Sequence, residues 1–258
     1  MTGRFDLSGQ RAFVTGGSRG LGREMALAFA EAGADVAIAA RDPGALDATA
    51  DEIRALGRQA WTFPADLGSP EAVETLCAQV IEAIGAPRIL VNNVGGRRIN
   101  VATEALALDT WREMIDLNLT ATYICSRRFG AAMIEAGKGG RILNLASINA
   151  FAAGRGIGGR HYETAKAAVV QFTRTLAVDW ARHGITANAI CPGIFATEPN
   201  RKWQESNPEM IAGMLEHVPM GRMGDPREIG TLAVYLASAD AGFMTGASLV
   251  IDGGYTCL

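Results

Sequence analysis

Thr15-Gly16-Gly17-Ser18-Arg19-Gly20-Leu21-Gly22 stands between a short apolar run at 11–15 and an amphipathic stretch at 21–32. Its glycines let the backbone bend where a side chain would strain it, and they bring the main chain close to anything lying above the bend. The run before the bend has the length and composition of a buried strand, and the 3.6-residue periodicity after it marks a helix. A helix that begins on such a bend offers free N–H groups and a partial positive charge, which suit a phosphate group. No Gly-Lys-Ser/Thr follows the glycines, so the bend is not a P-loop.

Outward from this bend, short apolar runs alternate with longer amphipathic ones along the whole chain. The sequence predicts strands at 11–15, 36–40, 60–63, 89–92, 141–145, 186–191 and 248–251, and helices at 21–32, 43–56, 71–84, 110–136, 162–183 and 226–237. Glycine or proline punctuates most junctions, at Gly33, Gly57, Gly85-Ala86-Pro87, Gly137 and Gly184. This order predicts an α/β fold, a parallel seven-stranded sheet with helices on both faces. With right-handed crossovers it becomes a doubly wound Rossmann sheet, its ligand site at the carboxyl ends of the strands. There is no internal repeat, low-complexity segment or linker, so residues 1–258 are read as a single domain. The least regular stretch, about 193–224, carries Pro199, Pro208 and Pro219 and is too short to build its own core; it reads as a mobile flap over a substrate.

The chain has 258 residues, 48% hydrophobic and 20% charged, which is enough apolar content to bury a large core. A net charge of −3 argues against nucleic acid or an anionic membrane as a partner. The N-terminal Met1-Thr2-Gly3-Arg4-Phe5-Asp6 lacks a leader's apolar core, and no apolar run is long enough to cross a bilayer. Cys77, Cys125, Cys191 and Cys257 are far apart and read as reduced thiols of a cytoplasmic protein. His161, His183 and His217 lack metal-ligand spacing, so no metal site is expected.

The second strand ends at Arg41-Asp42, where the adenosine ribose of a dinucleotide would lie. Arg41 and Arg19 can converge on a 2′-phosphate, which favours NADP(H). If Asp42 turns inward to accept from a free 2′-hydroxyl, NAD(H) is selected instead; Arg41 is then an ordinary solvated charge. Farther on, Tyr162 and Lys166 are four residues apart near a helix start, so they share a face. A phenol exchanges protons poorly near neutrality, and an adjacent ammonium is expected to lower its pKa. Lysine is scarce, only Lys138, Lys166 and Lys202 among 24 basic residues, so Lys166 is not background. Ser147, just past the strand at 141–145, is either a turn serine or a donor to a carbonyl oxygen held beside Tyr162. Asn118 interrupts an apolar helix, where a buried amide needs a partner or a water. A serine hydrolase is argued against by the lack of a matching histidine–acid pair.

Together these residues resemble the short-chain dehydrogenase/reductase family over essentially the whole chain. Its Thr-Gly-x-x-x-Gly-x-Gly motif matches Thr15 to Gly22, including Gly16, Ser18, Arg19, Gly20, Leu21 and Gly22. The family's adenine-facing acid matches Asp66, with Leu67 after it. Its Asn-Asn-Ala-Gly appears as Asn92-Asn93-Val94-Gly95, and its active-site tetrad falls on Asn118, Ser147, Tyr162 and Lys166. Pro192-Gly193-Ile194 with Thr197 is similar to the segment that holds the nicotinamide carboxamide, and Asp252-Gly253-Gly254 to the C-terminal signature. The resemblance implies hydride transfer between a nicotinamide and a carbonyl carbon. In that scheme Tyr162 passes the proton, Ser147 polarises the carbonyl, Lys166 binds the nicotinamide ribose and tunes Tyr162, and Asn118 anchors a relay water. It also implies a homotetramer built on the helices at 110–136 and 162–183 and on the C-terminal segment. The chain departs from the family in a longer Ser147-to-Tyr162 spacing, with Gly154-Arg155-Gly156-Ile157-Gly158-Gly159-Arg160 as the extra length.

Arg97, Arg98, Arg155 and Arg160, with Arg201 and Lys202 in the flap, suggest an anionic or strongly polar small-molecule substrate such as a sugar acid or keto acid. Gluconate 5-dehydrogenase-like and 3-oxoacyl-carrier-protein reductase-like members are both compatible with the motifs. A non-catalytic dinucleotide-binding regulator would dispense with Tyr162 or Lys166, and both are present. An extended sugar-nucleotide epimerase would call for a longer C-terminal half and a different glycine spacing.

Overall fold

Strict alternation along the strands divides the core into two layers. In β1 (Arg11–Thr15), Ala12 and Val14 face one side of the sheet and Phe13 the other. The same alternation runs through β2 (Asp35–Ala40), β3 (Ala60–Pro64), β4 (Ile89–Asn92), β5 (Gly140–Leu145), β6 (Ile185–Pro192) and β7 (Ser248–Ile251). All six neighbouring pairs are parallel, in the order β3-β2-β1-β4-β5-β6-β7. The computed structural model describes residues 5–153 and 158–257, so 154–157 of the basic loop, including Arg155, lie outside the described residues.

On one face pack α1 (Gly20–Glu31), α2 (Pro43–Ala55) and α9 (Pro226–Ala237), through Phe29, Leu46, Ile53, Ile229 and Leu236. On the other pack α3 (Pro70–Ile84), α5 (Ala121–Ala136) and α6 (His161–Trp180), through Leu76, Val80, Phe129, Met133 and Leu176. Side-chain caps fix where several of these helices begin. Asp42 accepts from Ala45 N, Ser69 from Ala72 N, and Asp225 and Glu228 form a reciprocal capping box. Each such cap is worth about 1 kcal/mol.

Two stretches differ from their sequence reading. The predicted helix at 110–136 starts earlier, as α4 (Leu108–Ile115), and passes through a wide π turn at Asp116–Thr120 before α5 begins. Asn118 sits in that turn and is fully buried. Periodicity alone does not register one extra residue in a turn. The flap stretch is more regular than expected, with two helices, α7 (Glu198–Ser206) and α8 (Pro208–Leu215). Pro208 lies in the first turn of α8, where a missing N–H costs nothing, so a residue read as a breaker is a helix start. The two ends of the stretch are tied: Ala196 N donates to Gly224 O at 2.9 Å and Gly224 N to Ile194 O at 3.0 Å. Among the described residues no helix is long and apolar enough to cross a membrane.

Candidate active site

The strand order reverses between β1 and β4, and the loops at the carboxyl ends there splay apart. A cleft of about 720 Å³ opens at this point. Its lining runs from the ends of β1 and β2, past β4 and β5, to β6 and the root of α7.

The glycine bend forms the floor. Gly16 and Gly20 have φ of +69° and +56°, a region other residues enter at a cost. A methyl group on Gly22 would lie 2.2 Å from Gly16 O, so Gly22 lets the helix start lie against the turn. Thr15 Oγ1 donates to Val91 O at 3.2 Å and accepts from Asn93 N at 2.9 Å, tying β1 to the segment after β4. Asn93 Nδ2 donates back to Thr15 O at 3.0 Å. Asn93 therefore lines the cleft while bracing the bend.

Of the residues expected at a cofactor, Gly16, Ser18, Arg19, Gly20, Leu21, Arg41, Asp66, Leu67, Asn93, Gly95, Tyr162, Lys166, Pro192, Gly193 and Thr197 all line the cleft. Gly22 and Ile194 do not; Gly22 is buried under the bend, and Ile194 O is engaged by Gly224 N. Phe195 and Asn200 line it instead. Asn200 Nδ2 donates to Phe195 O at 2.8 Å, a link from the first turn of α7 back to the segment before it that the sequence does not signal.

At one end three arginines, Arg19, Arg41 and Arg98, share the lining with Asp66. Burial, then the neighbouring charge of Arg41, holds the Arg98 guanidinium below its ordinary pKa; Arg19 acts the same way and Asp66 opposes them. Sequence reading grouped Arg98 with a substrate site, whereas its side chain belongs to this end. Asp42 also lines this end, and its Oδ1 caps α2, accepting from Ala45 N at 3.1 Å.

At the other end lie Ser147, Tyr162 and Lys166. Ser147 stands beside the Tyr162 phenol and favours its ionised form, despite the longer spacing between them in sequence. Ser147 Oγ also accepts from Asn149 N at 3.1 Å, which fixes its rotamer. Lys166 Nζ donates to Leu145 O at 2.7 Å and stands 5.7 Å from the centre of the Tyr162 ring. Asn118 closes onto Gly96, with Oδ1 accepting from Gly96 N at 2.8 Å and Nδ2 donating to Gly96 O at 3.1 Å and Met114 O at 2.9 Å. The partner that its buried amide needs is thus the backbone beside Gly95, and Asn118 shapes the loop after β4.

One electrostatic expectation is corrected. The Tyr162 phenol stands above its ordinary pKa, not below it. Burial is the largest cause and outweighs the neighbouring Ser147 and the Arg97 charge, which pull the other way. The Lys166 ammonium, itself buried, is pushed down to about 8. That has a consequence for stability. Between pH of about 8 and the ordinary lysine value of 10.5, the unfolded chain keeps a proton that the folded chain sheds, so rising pH stabilises the fold there. Below that window the folded protein carries the full cost of the buried charge, on the order of 3 kcal/mol, against about 1 kcal/mol for its hydrogen bond. Lys166→Met is therefore expected to match or exceed the wild-type melting temperature at pH 7 without cofactor, while losing turnover. A fall of more than about 5 °C in a thermal unfolding scan contradicts this balance.

Of the basic residues expected to grip an anionic substrate, Arg97, Arg160, Arg201 and Lys202 are engaged elsewhere. Glu163 pairs with Arg97 at 2.5 Å and with Arg160 at 3.3 Å. Lys202 pairs with Glu198, and Arg201 Nε donates to Ala196 O. Among the described residues no guanidinium lines the Ser147–Tyr162 end of the cleft; Arg97, beside the Tyr162 ring, is paired with Glu163.

Comparison with known proteins agrees with this geometry. The family model described as enoyl-(acyl carrier protein) reductase matches residues 16–256. The chain belongs to the short-chain dehydrogenase/reductase family and is an oxidoreductase. A galactitol 2-dehydrogenase (L-tagatose-forming) of Cereibacter sphaeroides is 40% identical over 254 residues, covering 98% of this chain and 97% of the relative. A short-chain type dehydrogenase/reductase from Mycobacterium marinum superposes with a TM-score of 0.91 at 39% identity, over 98% of both chains. A 3-oxoacyl (acyl-carrier-protein) reductase from Agrobacterium tumefaciens, solved with NADP bound, gives 0.90 at 31% identity over 97% of this chain and 96% of its own.

Proposed function

We propose that this protein transfers hydride between NADP(H) and a secondary alcohol or ketone within a polyhydroxylated small molecule, a polyol or sugar derivative. The observation that carries the reading is the single cleft joining a three-arginine end to the Ser147–Tyr162–Lys166 end. The cleft fits a dinucleotide. Glycines at 16, 20 and 95 leave room for a close-lying ligand, and a Cβ on Gly95 would meet Lys166 Nζ at 2.9 Å. Arg19, Arg41 and Arg98 supply cations for a 2′-phosphate, while Asp42 is occupied as a cap, which supports NADP(H) over NAD(H). The nicotinamide, when bound, supplies or accepts the hydride.

The protein's own residues do the rest. Ser147 donates to the substrate oxygen and Tyr162 passes the proton to or from it. Lys166 presents its ammonium to the ribose side, and Asn118 holds the loop at Gly96 in place. A polyhydroxylated substrate is supported by the likeness to the galactitol 2-dehydrogenase. The helices at 198–215 are read as the flap closing over the substrate. Apolar side chains left exposed at Tyr123, Val178, Phe243 and Val250 support a homotetramer. A cytoplasmic location is read from the four free thiols.

The test is an absorbance assay of NADP+ reduction against a panel of polyols, sugar acids, simple hydrophobic alcohols and, in reverse, 3-oxoacyl thioesters. Turnover with polyols or neutral sugars is expected to exceed that with the others. Turnover confined to acyl thioesters or hydrophobic alcohols overturns the substrate assignment.

A further inference from the structure

The two arginines that follow the Asn92–Gly95 turn diverge. Arg98, whose φ of +53° is left-handed, faces the cleft at the arginine end. Arg97 turns toward the start of α6. Its Nη2 donates to Glu163 Oε1 at 2.5 Å and its Nη1 to Gly158 O at 3.2 Å. The side chains of the pair are only 18% and 11% exposed. The guanidinium carbon of Arg97 stands 5.1 Å from the centre of the Tyr162 ring, nearer than the Lys166 ammonium at 5.7 Å. The backbone of Arg97 is also gripped, because its carbonyl meets Nε2 of the fully buried His161 at 3.0 Å. The residues on either side of Tyr162 in sequence, His161 and Glu163, thus both hold Arg97.

A covered ion pair is weak evidence of stability in its own right, since desolvation opposes its Coulomb energy. Beside a phenol it has another effect. A cation near the ring favours phenolate, and an arginine keeps its charge at every working pH. Lys166, pushed by burial down to about 8, does not. The flanking cations therefore differ in kind: one titrates in the working range and one is permanent.

We propose that Arg97, held by Glu163 and His161, is a positioning residue that fixes the Tyr162 ring and biases its oxygen toward phenolate, with Glu163 as the opposing charge that limits the bias. This rests on the reading of Tyr162 as the proton-transfer group. The groups facing that phenol among the described residues are Arg97 from the loop after β4 and the Ser147 hydroxyl after β5. From α6 and its start come His161, Glu163, Lys166 and Arg160, and from β6 comes Cys191 beside Lys166. Burial pushes the Cys191 thiol up to about 11, so it adds no charge near neutrality. At the phenol, Arg97 lowers the pKa and Glu163 raises it. Removing one partner or the other should move Tyr162 in opposite directions. A bridge that was only structural would respond alike to the loss of either end.

Two readouts test this. Tyrosinate absorbance of the cofactor-free protein, taken as a difference against Tyr162→Phe, follows the phenol directly; the pH–rate profile of alcohol oxidation follows it in the holoenzyme. Arg97→Gln is expected to move both to higher pH by about one unit. Arg97→Lys, which keeps the charge, should stay within about half a unit of wild type, and Glu163→Gln should move to lower pH. The Michaelis constant for NADP+ should not change in any of them. Equal midpoints for Arg97→Gln and wild type, or Arg97→Gln and Glu163→Gln moving in the same direction, overturn the proposal. If Arg97→Gln does not accumulate as folded protein, Glu163→Gln decides alone, and an upward move refutes the idea. An active Tyr162→Phe would refute the active-site reading itself, whereas an inactive one beside an unshifted Arg97→Gln removes only this proposal.

Discussion

Tyr162→Phe is expected to lower kcat by about 10²–10⁴-fold while leaving the melting temperature and NADP+ affinity close to wild type. The substitution keeps the ring, and with it the contacts to Arg97 and Lys166 at 5.1 and 5.7 Å, and removes one hydroxyl. Ser147 acts on that hydroxyl, favouring its ionised form. Its loss leaves Ser147 Oγ with its acceptor role toward Asn149 N, so the local turn has no reason to shift. The structural cost is at most that of one hydrogen bond, about 1 kcal/mol. The kinetic cost is larger, because among the described residues at that end of the cleft no other group is placed to pass a proton: Lys166 Nζ is turned to Leu145 O. Steady-state kinetics and isothermal titration with NADP+ separate the two effects. A kcat within tenfold of wild type removes Tyr162 from the chemistry.

Arg41→Asp is the second large effect, and it falls on the choice of cofactor. Arg41 follows β2 directly, is solvent-exposed, and lines the same end of the cleft as Arg19 and Arg98. A charge-assisted hydrogen bond to a phosphate contributes about 1.5–3 kcal/mol, and a carboxylate in its place adds repulsion. The variant is therefore expected to lose about 10²-fold or more in kcat/KM with NADPH, with the value for NADH changed by less than about tenfold. Because Arg19 and Arg98 remain, the loss should be partial, and adding Arg98→Ser should deepen it. Wild-type KM for NADPH should rise with ionic strength more steeply than that for NADH. Equal losses with both coenzymes place Arg41 outside the phosphate site.

Much of this architecture can be read from residue order. The strands at 11–15, 89–92 and 248–251 begin and end where their apolar runs do, because parallel strands covered on both sides need uninterrupted hydrophobic stretches. Tyr162 and Lys166 are legible as a pair because a helix fixes where residues four apart point. What escapes is whatever depends on direction in irregular backbone. Arg97 and Arg98 are adjacent and alike in sequence, yet the left-handed φ of Arg98 sends one to Glu163 and the other to the arginine end. The raised pKa of Tyr162 escapes for a related reason. Desolvation is a property of the assembled surroundings, and a nearby lysine in sequence does not reveal that its ammonium is engaged by Leu145 O.

The widened turn at Asp116–Thr120 has a bearing on how α5 is phased against α4. Each helical residue advances the chain by about 1.5 Å and rotates it by about 100°. Rewinding that turn as ordinary α-helix with every residue kept would swing all of α5 by about that angle relative to α4. Phe129 and Met133 would then leave the sheet, and the grip of Asn118 on Gly96 would be lost in the same stroke. The irregularity thus works as a phase adjuster, letting one continuous rod serve the reactive cleft at one end and the hydrophobic interior at the other.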